Sequence, residues 1–241
     1  MTNSYNLSPT SKHRLLIIHG LNNNANAFAP MGKALSEQGF DVHYVTLPCH
    51  GEIRDEATDL NSALECFDQT MRSLINGPYS VVAFSQGALY LQLWMTREDI
   101  PLPVAQVLLA PALFIKNQRL IGLIADLLPS FLSLPSFSPV YIRKYSSLFV
   151  REYRLLVAGL RSFKNAFRAK TLLIIDPEDE LVHAGQIQRK LGSLCEIELI
   201  HRRGLKRGPG HHHIIFHPDF YSPGTWEKLI ERMASFLKIS V

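Results

Sequence analysis

The chain has 241 residues, of which 46% are hydrophobic and 19% charged, with a formal net charge of +4 and a pI near 9.0. That balance excludes a disordered chain, and the length suits one α/β domain over 1–241 with room for an insertion. The basic residues are scattered apart from Arg202-Arg203-Gly204-Leu205-Lys206-Arg207, which reads as a solvated loop, so no nucleic-acid partner is expected.

Residues 1–13 are polar and lack the apolar core of a secretory signal. Leu15-Leu16-Ile17-Ile18 reads as a first strand, 25–37 as a helix and 42–47 as a second strand. Leu60, Ala63, Leu64, Phe67, Met71 and Leu74 follow the i, i+3, i+4, i+7 rule of a one-faced helix. Gly77-Pro78 stops it, because glycine accepts the left-handed cap and proline cannot continue the ladder. A strand at 81–84, a helix at 87–95 and a strand at 107–110 follow. Strands at 172–175 and 197–200 and a helix at 225–237 close the chain.

Strands apolar on both faces that alternate with helices imply a mostly parallel sheet of about six strands with helices on both sides. Residues 112–169 break the alternation. They are rich in Leu, Phe, Tyr and Ser-Pro, and are too long for one crossover. They read as a helical cap insertion over the edge where open α/β sheets bind ligands. Asp126 and Pro129 interrupt the greasiest part, 120–134, so it is no membrane span. Cys49, Cys66 and Cys195 match no zinc or redox spacing, and the expectation is a reduced, cytoplasmic location.

Val81-Val82-Ala83-Phe84-Ser85-Gln86-Gly87-Ala88 places a serine at a strand-to-helix turn. The usual spelling is G-x-S-x-G, with small residues flanking a strained backbone; here Ala83 takes the first position. The following helix start offers N–H groups and its dipole to an oxyanion. A second turn, His19-Gly20-Leu21-Asn22, follows the first strand.

Together these two turns resemble the α/β-hydrolase superfamily, and the resemblance covers nearly the whole chain. It implies an α/β-hydrolase fold and oxyanion donors from the N–H groups of Leu21 and Gln86, with His19 shaping its turn. Leu47-Pro48-Cys49-His50-Gly51 is similar to the family's Gly-His-Gly turn with Cys49 in place of the first glycine, which makes His50 structural. The family's chain order is Ser, acid, His. Its acid pattern, Gly-x-x-Asp-x-x-Val, fits Asp176-Pro177-Glu178-Asp179-Glu180-Leu181-Val182 and selects Asp179.

The base then lies in Gly208-Pro209-Gly210-His211-His212-His213-Ile214-Ile215. The Gly-x-Gly-His spelling favours His211. A histidine followed by one residue and an apolar pair favours His212, and a shorter loop fits His213. The base is placed at His212, with His211 as the alternative. Adjacent histidines on an extended segment point to opposite sides and chelate one ion poorly, so no metal and no cofactor are expected.

The resemblance points to small carboxylesterases and to enzymes like monoacylglycerol lipase or lysophospholipase. It implies attack by Ser85 on a carboxylic ester through a Ser85–His212–Asp179 triad. Leu113, Phe114, Leu127, Leu128, Phe131, Leu132 and Phe137 suit an apolar acyl chain. The basic run suits a phosphate head group and peripheral membrane contact. Thioester cleavage, C–C hydrolysis, peptidase activity, or non-catalytic ligand binding on the same fold are the alternatives.

Overall fold

A computed structural model of the chain describes residues 13–50, 59–135, 147–202 and 211–238. Six strands form one parallel sheet: β1 (His13–Ile18), β2 (Phe40–Val45), β3 (Tyr79–Phe84), β4 (Ala105–Leu109), β7 (Lys170–Ile175) and β8 (Glu196–Leu199). Their order across the sheet is β2-β1-β3-β4-β7-β8. Every residue of β3 and β4 is buried, which requires cover on both faces and explains why both are apolar but for Ser80 and Gln106.

Seven α-helices are described: α1 (Ala29–Glu37), α2 (Leu60–Leu74), α3 (Gln86–Trp94), α4 (Gln118–Leu127), α5 (Val150–Ser162), α6 (Ala184–Leu191) and α7 (Thr225–Leu237). Helices α1 and α7 touch one another and pack on β2 and β4, whereas α2, α3 and α5 form a second packed group. Helix α2 occupies the predicted range. A capping box starts it: Asp59 accepts from the Ser62 amide at 2.9 Å, and Ser62 Oγ accepts from the Asp59 amide at 3.2 Å. Its buried residues, Ala63, Phe67 and Met71, are part of the predicted apolar stripe. Helix α3 is buried along its whole length, because it lies between the sheet and α2 and α5.

Between β4 and β7 lie α4, a short antiparallel ladder of β5 (Ser133–Pro135) with β6 (Ser147–Phe149), and α5. Helix α5 packs on α2 and α3 as well as on α4. A Cβ on Gly159 would sit 3.0 Å from Leu89 Cδ2, so α5 lies close against α3.

The chain runs outward from β1 to β2, then returns to add β3 on the other side of β1. The carboxyl ends of β1 and β3 are therefore neighbours at a topological switch point, where open α/β sheets leave a crevice. The His19-Gly20 turn and Ser85 follow directly from these two ends. No described helix is long and apolar enough to cross a membrane. Cys49, Cys66 and Cys195 take part in no disulfide.

Candidate active site

Ser85 sits between β3 and α3 with φ 51° and ψ −116°, a conformation that costs a non-glycine residue energy and persists only where surroundings enforce it. Three hydrogen bonds do so. The Ser85 amide donates to Leu109 O at 3.0 Å, while Ser85 O accepts from the amides of Ala88 at 3.1 Å and Ala112 at 3.0 Å. A Cβ on Gly87 would stand 2.2 Å from His19 O, so only glycine lets α3 approach the β1 turn. At Gly20 a Cβ would meet Phe84 Cδ1 at 2.8 Å and Ser85 Cβ at 3.0 Å. Ala83, where the family pattern has glycine, is fully buried.

The acid turn follows β7. Asp179 is fully buried, and its Oδ1 accepts from the amides of Leu181 at 2.7 Å and Val182 at 2.9 Å. Burial alone would raise its pKa. The charge and hydrogen bond of His213, with those two amides, outweigh burial and hold the carboxyl below its usual value of 3.8. The turn is held by the chain leaving β4. Ile115 bridges Val182, the Lys116 amide donates to Leu181 O at 2.7 Å, and Lys116 Nζ donates to Asp179 O.

The imidazole that links these two groups is that of His213. Its Nε2 lies 2.9 Å from Ser85 Oγ and its Nδ1 2.8 Å from Asp179 Oδ2. The ring packs on Phe84, centroids 4.9 Å apart, and Phe84 in turn packs on Phe28 and Phe216.

The sequence placed the base at His212, whereas the ring beside Ser85 and Asp179 is that of His213. His212 Nδ1 lies 2.9 Å from Asp176 Oδ2, and its Nε2 faces Glu178 Oε2 at 3.4 Å without hydrogen-bond geometry. The alternative, His211, packs its ring edge-on against Phe220 at 5.7 Å. The cause is the backbone: residues 211–213 form a turn rather than an extended segment, and the three imidazoles diverge. Among the described residues, no group of three or more His, Cys, Asp or Glu side chains is arranged to hold a metal ion.

Arg202 also departs from expectation. It is buried, not solvated: its Nε donates to Asp176 Oδ2 at 3.0 Å, with side-chain exposures of 2% and 1%. It is thereby withdrawn from any head group, and 203–207 lie outside the described residues. The residues expected to line an acyl site also separate. Leu113 is core and Phe114 packs on Phe163, whereas Leu127 is 71% and Phe131 78% exposed; Leu128 is part-buried, Leu132 exposed, and Phe137 lies outside the described residues.

The two flanking histidines support the turns around the site. His19 Nε2 accepts from the Leu47 amide at 3.1 Å and its Nδ1 faces Gly20 O at 2.8 Å. His50 repeats the arrangement, with the Asn22 amide at 3.0 Å and Pro48 O at 2.8 Å. An N–H donor at Nε2 and a carbonyl at Nδ1 fix each ring as the neutral Nδ1–H tautomer. Gln86 is the first residue of α3, where amides have no intrahelical acceptor, and Leu21 follows the glycine packed on Ser85.

A doubly covered parallel sheet, with a strained serine, an imidazole and a carboxylate in series at its switch point, defines the class of protein. The model of the alpha/beta hydrolase family matches residues 15–236, and the chain belongs to that family. Among solved structures, it is similar to a monoacylglycerol lipase from Paleococcus ferrophilus: TM-score 0.70, 18% identity, 93% of each chain covered. A soluble variant of monoglyceride lipase from Saccharomyces cerevisiae gives TM-score 0.75 at 12% identity, over 97% of this chain and 88% of the other. A thioesterase domain from the curacin biosynthetic pathway gives TM-score 0.59 at 15% identity, over 94% and 90%. No curated protein matches the chain at a significant level.

Proposed function

We propose that the protein hydrolyses carboxylic esters through an acyl-enzyme on Ser85, with His213 as the base and Asp179 as its orienting acid. The observation that carries this reading is the unbroken series Ser85 Oγ–His213 Nε2 at 2.9 Å and His213 Nδ1–Asp179 Oδ2 at 2.8 Å. A serine hydroxyl is a weak nucleophile until a base takes its proton. As Ser85 Oγ attacks the ester carbonyl carbon, His213 Nε2 accepts that proton. Asp179 stabilises the imidazolium and keeps Nδ1 protonated. The amides of Leu21 and Gln86 receive the oxyanion, each worth about 2.7–4 kcal/mol of barrier. His213 then returns the proton to the leaving alkoxide, and water releases the acid by the same route.

An apolar acyl group suits the site's surroundings. The Ala112 amide is bonded to Ser85 O, and the half-buried Phe114 follows two residues on. Helix α4 and the β5–β6 ladder are the part we assign as the cap. Ester and lipid substrates agree with the lipases among its structural relatives. The likeness to a thioesterase domain favours one second reading, a thioester on the same serine.

Ser85→Ala is expected to abolish p-nitrophenyl butyrate hydrolysis and leave the thermal melt nearly unchanged. Full activity in that variant would remove Ser85 from the chemistry. A much higher kcat/KM on the matching butyryl thioester than on the ester would favour the second reading.

A further inference from the structure

Residues 211–213 belong to no helix or strand, so their main-chain polar groups need partners from elsewhere. Two side chains supply them. Glu180 accepts from the His212 amide at 3.1 Å and from the His213 amide at 3.1 Å. Arg202 donates to Ile214 O through Nη1 at 2.6 Å and to His212 O through Nη2. The main chain is therefore gripped on both sides of His213.

The grip is itself anchored. Asp176 Oδ2 receives both Arg202 Nε and His212 Nδ1, at 3.0 and 2.9 Å, while Asp176 Oδ1 accepts the Glu178 amide at 2.9 Å. The Arg202 guanidinium lies over the Tyr221 ring at 5.5 Å, and Tyr221 Oη donates to Ile215 O at 2.7 Å. Asp176, Asp179 and Glu180 all stand on the one turn after β7. That turn thus carries the acid and also holds the backbone that presents the imidazole.

We infer that Glu180 and Arg202 are positioning residues: they fix the main chain at 212–214 so that the His213 ring stays between Ser85 and Asp179. This rests on the reading of those three residues as the triad. A displacement of about 1 Å at a reacting group costs up to about 10²-fold in rate. Loss of the grip lowers kcat and leaves KM, because Glu180 bonds amides of the chain itself.

The test uses the full-length protein and p-nitrophenyl butyrate. Glu180 is only partly buried, so Glu180→Ala strips no deeply buried charge of its partner and keeps the fold. It is expected to lower kcat roughly 10-fold or more, within the range for a misplaced group, with KM within about twofold. Glu180→Gln retains an oxygen at the Oε2 position and is expected to keep kcat within about threefold of wild type. Arg202→Lys, which loses the planar fork, is expected to follow Glu180→Ala.

Wild-type kcat in Glu180→Ala, or a lowered melting temperature with kcat unchanged, would overturn the inference. So would equal loss of kcat in the Gln and Ala variants. A Ser85→Ala control separates the two levels. If Ser85→Ala is inactive and Glu180→Ala fully active, the grip alone fails; if Ser85→Ala stays active, the triad reading fails and takes this inference with it.

Discussion

Asp179 carries the clearest electrostatic signature at the level of single residues. Burial opposes its charge, yet His213 and two amides reverse that effect and hold it below 3.8. A carboxyl depressed in the folded state stabilises above its unfolded pKa and loses that contribution as pH falls through the folded value. Wild type should therefore exceed Asp179→Asn in melting temperature by a constant margin above about pH 4, and the margin should shrink on further acidification. A margin that widened below pH 4 would contradict the sign. Histidine identity was the least legible residue-scale feature. Three identical neighbours follow a loop whose length the sequence does not constrain, and a turn rather than an extended strand decides which ring faces Ser85. Arg202 was hidden for another reason. It opens a basic run, and only the fold brings Asp176 to it.

Among elements, the contact that shapes the site is the approach of α3 to the turn after β1. Gly87 makes it possible, because any Cβ there would lie 2.2 Å from His19 O. Gly87→Ala is expected to cost about 1–3 kcal/mol, as overpacking of a close interior contact does. A lowered urea midpoint with an unchanged m-value would register it. No loss of stability would mean that the approach is looser than described. The inner strands of the main sheet were readable because burial on both faces makes short apolar runs conspicuous, whereas the edge strands β2 and β8 are only partly buried and mix in polar residues. The β5–β6 ladder was not, since three-residue strands leave no periodicity to read. The sequence reads residues 112–169 as one insertion, and α5 within them packs on α2 and α3. Its apolar face has the pattern of any amphipathic helix, and pattern alone does not name the partner.

Over the whole molecule, strand order does the assembling. Ser85 follows β3, Asp179 follows β7 and His213 follows β8, three parallel strands that end on the same edge. One sheet edge thus gathers residues separated by up to 128 positions. The most direct measurement of this convergence is labelling by a fluorophosphonate probe, with the modified peptide mapped by mass spectrometry. A single adduct on Ser85 is expected in the wild-type protein, with a rate reduced roughly 10³-fold or more in His213→Ala. An adduct on another residue, or wild-type labelling in His213→Ala, would contradict that convergence.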